Sequence, residues 1–263
     1  MNAWSGLVKK EFRLGLTGIY WSITAMLLVY GLLTFLTWKF DEGTILFAGS
    51  FVIVILHTFY MPAYLVVSIY MEKDRMHMWL HSLQSGYSLL LAKFLTGLAY
   101  MFLSLLLASL VVIYSGTSLT NIIAEAGLST KGLFVNGINV VIHVIGLSLY
   151  YAVWGVFFWT ISLSLKKYLG KLQWLVLIPL IIIGFVSMFK WESSSLFSKL
   201  TNWGAIPLDE FIYPIVFGKG IGEITIEGSI ANAVYIGTYV YYAFIMLILF
   251  FIAGWIIDRK VEV

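Results

Sequence analysis

MEKDRMHMWLHSLQSGYSLLLAK, residues 71–93, is the stretch on which the reading of this chain turns. It is the densest polar segment in a chain that is otherwise mostly hydrocarbon. Glu72, Lys73, Asp74, Arg75, His77 and His81 fall within ten residues, and long apolar runs flank them on both sides. Charged side chains are costly in lipid, so the segment lies in water or against a protein partner. Met76, Trp79, Leu80 and Leu83 recur within it at helical spacing. The pattern describes a short amphipathic helix held at the membrane surface between two spanning helices. The plainer reading is a solvated loop. Trp79 and Leu80 favour docking, because large apolar side chains grouped in water mark contact surfaces.

Composition sets the class. The 263 residues are 61% hydrophobic and only 11% charged, with a mean hydropathy of +0.95. A soluble domain carries about 25% charged residues. Too few polar groups are present to cover a globule of this size, so the expected class is all-α integral membrane. There are no cysteines, which excludes disulfides, thiolate metal sites and cysteine catalysis. The first apolar run exceeds the roughly 7–15 residues of a signal-peptide core, and is expected to remain as a helix.

Residues 3–16 put Trp4, Leu7, Val8 and Phe12 on one face and Lys9, Lys10 and Arg13 on the other. This predicts a separate helix lying flat at the bilayer surface. Glu11 falls inside the apolar arc; it either snorkels to water or meets a partner. Six apolar runs approach the roughly 20 residues a spanning helix needs. They cover 19–38, 46–71, 90–114, 137–165, 172–189 and 233–257 of a single transmembrane domain, 1–263. Pro62 and Pro179 lie inside the second and fifth, where each removes a backbone donor and predicts a kink.

Lysine and arginine set the orientation. With the N-terminus in the cytoplasm, eleven of the sixteen fall inside, among them Lys9, Lys10, Arg13, Lys73, Arg75, Lys93, Lys166, Lys167 and Lys171. Both termini and the 71–93 stretch are then cytoplasmic, in a multi-pass protein of the cell membrane. The longest external segment, 190–232, contains AIPLDEFIYPIVF at 205–217. It is read either as short helices lying on or dipping into the outer surface, or as an ordinary packed loop. GKGIG at 218–222 lacks the spacing of a phosphate loop.

His57 falls near the middle of the second span and His143 in the outer part of the fourth. Haem ligation would need matched depth, and the spans set them about 10 Å apart in depth at a rise of about 1.5 Å per residue. Bonding of each histidine to a neighbouring helix is the expected role. No zinc-protease or serine-hydrolase motif is present. No span carries a mid-membrane carboxylate.

At residues 71–93 the chain resembles the membrane-spanning permeases of ATP-binding-cassette (ABC) exporters of the type-2 class. Glu72 matches an acidic start, Trp79-Leu80-His81-Ser82-Leu83 a leucine-rich turn, and Lys93 the lysine that opens the third span. Gln84 stands where proline is usual. The resemblance implies an N-terminal interfacial helix, six spans, a cytoplasmic coupling helix between spans two and three, and short extracellular helices between spans five and six. It implies that Glu72, Asp74, Arg75, Met76, Trp79, Leu80 and Leu83 contact a separate ATPase subunit. ATP and magnesium would sit on that subunit. This chain would bind no cofactor or nucleic acid and would have no enzymatic site of its own. A second permease copy or a paralogue, and membrane lipid, complete the implied partners. An aromatic export path for a hydrophobic or amphipathic peptide, lipid or drug would draw on Phe51, His57, Phe59, Tyr60, Phe157 and Phe158; plain packing is the alternative for each. The competing function is an ATP-independent membrane protein, either a secondary transporter or a peptide-immunity protein.

Overall fold

The computed structural model describes residues 3–72, 84–117, 130–207, 212–217, 224–229 and 233–260. These are almost entirely helical, and five helical stretches are long and apolar enough to cross a membrane. In lipid the backbone must satisfy its own hydrogen bonds, which helices do without help.

α1 runs unbroken from Ala3 to Phe40. At about 1.5 Å per residue its 38 residues reach about 57 Å, beyond the hydrocarbon thickness of about 30 Å. A separate surface helix at 3–16 is therefore not what forms. The buried residues Glu11, Gly15, Ile19, Met26 and Tyr30 keep one helical stripe in phase across the expected junction. The remaining faces carry exposed Trp21, Leu28 and Trp38, as lipid contact requires.

Asp41, with φ of 52°, turns the chain into α2, Gly43–Leu56. The two helices run back to back closely enough that a Cβ on Gly49 would lie 2.6 Å from Leu33. α2 gives way to a 3₁₀ turn, His57–Phe59, before α3, Tyr60–Met71. Pro62 accounts for this break: it lacks an N–H and its ring crowds the carbonyl of Thr58. The opened ladder is repaired from outside, since the Met61 N–H donates to Ser148 Oγ at 3.1 Å. Pro179, by contrast, lies within an uninterrupted helix.

α4, Gly86–Thr117, is the central helix. Its buried residues Leu90, Lys93, Phe94, Gly97, Met101, Ser104, Leu105 and Ala108 recur at spacings of three and four and meet its neighbours on several sides. Its first turn is held from far away, because the Gly86 N–H donates to Asp258 Oδ1 at 2.6 Å.

α5, Thr130–Leu169, leads through a 3₁₀ turn at Gly170–Leu172 into α6, Gln173–Glu192. Gly170 has φ of +52°, a conformation that suits glycine. The two helices fold back on each other: Trp154 and Phe158 both lie tilted against Phe185, and the Tyr150 hydroxyl meets Met188 Sδ at 3.2 Å. The apolar stretch 137–192 is thus a hairpin.

α7, Ser195–Thr201, is capped by Ser194, whose Oγ accepts from the Phe197 N–H at 3.2 Å. Beyond it 205–207 and 212–217 form strands, neither the short helices nor the plain packed loop between which the sequence leaves 190–232 open. β1 (Ala205–Pro207) pairs antiparallel with β4 (Ala233–Tyr235), and β2 (Ile212–Phe217) pairs antiparallel with β3 (Ile224–Ser229). Ile-Tyr-Pro-Ile-Val-Phe has high strand preference, and its proline is tolerated in a two-stranded ribbon while it would interrupt a helix. α8, Ile236–Lys260, closes the bundle between α4 and α5: Phe94 meets Phe250, and His143 meets Tyr239.

Candidate functional site

The most unusual chemistry in the bundle is a buried ionic cluster built by α1, α3 and α4. Glu11 is the one carboxylate on the buried stripe of α1, four residues before Gly15. Lys93 lies two turns into α4, on the face that α1 covers. Both side chains are 1% exposed. Lys93 Nζ lies 2.8 Å from Glu11 Oε2, 2.6 Å from Glu72 Oε2 and 2.9 Å from Ser68 Oγ. Three acceptors thus match the three N–H groups of the ammonium. Lys10 reaches the other Glu72 oxygen at 2.5 Å from the half-exposed rim. Two carboxylates and two ammonium groups balance.

Glu72 caps the end of α3, outside the apolar span. Burial pushes its carboxyl up, but Lys93 and Lys10 together outweigh burial and hold it below the usual carboxylate range. Glu11 Oε1 is buried and accepts no hydrogen bond, with Lys10 Nζ 3.8 Å away. A buried pair of this kind contributes little net stability over an apolar substitute, yet losing one partner strands the other charge.

Two glycines make the cluster possible. A Cβ on Gly15 would lie 2.4 Å from Tyr100 Cε2, and one on Gly97 would lie 2.6 Å from Tyr64 Cδ1. Tyr64 and Tyr100 fill those gaps edge to face, with ring centroids 6.2 Å apart. Tyr100 is fixed in turn, because its hydroxyl donates to the Phe12 carbonyl. Small residues on α1 and α4 thereby let the helices approach closely enough for carboxylate and ammonium to meet.

Of the expected ATPase-contacting residues, only Glu72 is among the described ones. Asp74, Arg75, Met76, Trp79, Leu80 and Leu83 lie outside them. The aromatic residues fall in two groups. His57 is buried at the 3₁₀ turn, bonded to the Ile53 carbonyl at 2.8 Å and to Ser104 Oγ at 3.0 Å, and stacked on Tyr60. His143 bonds the Tyr239 hydroxyl at 3.0 Å. Both histidines therefore make the cross-helix bonds expected of them. Phe59 is exposed and stacks on Tyr151. Phe157 and Phe158 pack against Trp154, two helical turns further along α5. Ring contacts through Tyr151 and Tyr150 link Phe59 to Trp154, Phe157 and Phe158 in one seam, and Phe51 lies half-buried on α2.

In the sequence Glu72 stands out in its polar stretch and Glu11 falls inside an apolar arc, but no local spacing pairs either with Lys93. The available signal was the lysine itself, placed inside an apolar run with no local carboxylate to meet it. No family model, curated protein or solved structure matches this chain. What the site does must therefore be argued from its own geometry, and that geometry is an ionic knot of two carboxylates and two ammonium groups among the described residues, with one buried Glu11 oxygen accepting no hydrogen bond, at one end of a helical membrane bundle.

Proposed function

We propose that the chain is the permease subunit of an ABC exporter, with residues 73–83 as the segment that engages the ATPase. It would cross the cell membrane six times, α5 and α6 each supplying one crossing, with both termini in the cytoplasm. The observation that carries this reading is how the two ends of that segment are fastened. On one side Glu72 is tied to Lys93 of α4 and Lys10 of α1. On the other the Gly86 N–H is tied to Asp258 of α8. A displacement of residues 73–83 would bear directly on four helices. A passive surface loop needs no such anchorage, and an engine-driven lever does. The aromatic seam from Phe59 to Phe158 would offer an apolar surface to a hydrophobic or amphipathic substrate.

The test is purification from native membranes under mild detergent. A soluble nucleotide-hydrolysing subunit should accompany the chain. Trp79→Ala should reduce its recovery, since aromatic anchors at an interface commonly contribute about 2 kcal/mol or more. Lys73→Ala should reduce it far less. Recovery of the chain with no ATPase, and no hydrolysis in the preparation, would favour the ATP-independent alternative.

A further inference from the structure

We propose that the turn joining α5 to α6 is a docking surface for the headgroups of anionic phospholipids. Lys166, Lys167 and Lys171 crowd this turn, and all three are exposed. Tyr168, Leu172 and Trp174 stand exposed among them. The level of the turn follows from α8. His143 meets Tyr239 and Tyr150 meets Tyr242, so α5 and α8 run the same way. Lys166 lies about 24 Å along α5 from Tyr150, and Asp258 about 24 Å along α8 from Tyr242, at about 1.5 Å per residue. The turn therefore lies at the end of the bundle where Asp258 holds Gly86, which is the end that carries the ionic cluster.

Depth, exposure and charge together select the partner. From Leu175 to Phe189 the chain carries no charged residue. Of α6 only Gln173 and Leu177 are buried, and Leu175, Ile182 and Phe189 are exposed, as contact with lipid tails requires. The hydrocarbon boundary thus falls near Trp174, and indole and phenol rings favour the headgroup level. Lys171 stands just before Trp174 in the chain, where its flexible stem can carry the ammonium to the phosphates. Residues 130–191 contain no carboxylate. At the same end Glu11, Glu72 and Asp258 are held by Lys93, Lys10 and the Gly86 N–H, and among the described residues no carboxylate pairs with Lys166 or Lys171. The partial charges at the end of α5 and the start of α6 oppose each other, so they do not neutralise the lysines. A zwitterionic headgroup brings its own cation and gains little here, whereas an anionic one supplies the missing charge. The surface stands whether or not an ATPase drives the chain.

The experiment places one fluorophore on the turn. Leu172→Cys gives the full chain its one cysteine, which is labelled with bimane and reconstituted in phosphatidylcholine vesicles. A small fraction of the lipid carries a nitroxide high on its acyl chain, on either phosphatidylglycerol or phosphatidylcholine. The two leaflets are alike, so the result does not depend on orientation. The phosphatidylglycerol probe should quench at least about fivefold more strongly than the phosphatidylcholine probe, the preference that a single lysine gains at an anionic surface. Adding Lys166→Gln and Lys171→Gln should bring the two probes within about twofold of each other. Salt at about 1 M should do the same to the parent. Unchanged melting temperatures show that the variants remain folded. Equal quenching by the two probes, or a preference that survives Lys166→Gln with Lys171→Gln, would overturn the proposal; the first result would leave the turn to water or to a soluble protein.

Discussion

Lys93 is the residue on which the ionic end of the bundle depends. Its ammonium serves Glu11, Glu72 and Ser68 at once. Lys93→Ala leaves two carboxylates with one half-exposed lysine, and stranding a buried charge costs about 3–5 kcal/mol. Lys10 is 50% exposed, and a rim pair contributes about 0–1 kcal/mol. The detergent melting temperature should therefore fall sharply in Lys93→Ala and little in Lys10→Ala. Acid should act on the same cluster. The Glu72 carboxyl lies below its ordinary value of 4.5 in the folded chain. Its stabilising contribution is fully present above that value and is lost as pH falls through the folded value. Melting temperature should decline below about pH 4.5, and less steeply in Glu72→Gln. Glu11 and Lys93 were each visible in the sequence as an oddity, but they are 82 positions apart. No local pattern links them, so their pairing was not legible.

Among the elements, the long helices were legible because apolar runs of bilayer length leave few alternatives. The continuity of α1 was not. Residues 3–16 satisfy the pattern of a surface helix, yet Gly15 and Ile19 carry its buried stripe onward into the bundle. Nor was the pairing of 212–217 with 224–229 legible, since a short continuous apolar run such as IYPIVF fits a strand or a dipping helix equally well until the pairing of Ile212 with Ser229 and Phe217 with Ile224 is known. Glycines report which helix contacts are tight. A Cβ on Gly237 would lie 2.3 Å from the Thr201 carbonyl oxygen, whereas Gly18 has nothing within 4 Å. Overpacking costs about 1–3 kcal/mol, so Gly237→Ala should lower the melting temperature. Gly18→Ala should leave it unchanged or raise it, since alanine is favoured over glycine in helices by about 0.5–1 kcal/mol.

For the whole molecule, long segments that pack together run in opposite directions: α2 against α1, α6 against α5, and, far apart in sequence, α8 against α4. The lysine and arginine distribution then predicts a side for each end. The chain contains no cysteine, so single cysteines can be placed freely. Cysteines at Ser82 and Ser194 should react with an impermeant reagent from opposite faces of sealed cells, Ser194 from outside. Labelling of Ser82 from outside would invert the topology and separate the 73–83 segment from any cytoplasmic engine.

The Glu11–Lys93 contact also imposes an order on biogenesis. Residue 11 leaves the ribosome long before residue 93, and at about 5–20 residues per second the gap is about 4–16 s. During that interval Glu11 has only half-exposed Lys10 beside it and lacks its buried partner Lys93, and a poorly paired carboxylate is costly in lipid. The Glu11 end of the first helix is then expected to stay in water while the second span is threaded. Only when the third span delivers its lysine does the first helix have a reason to draw inward. The oldest part of the nascent chain is thus among the last to find its place.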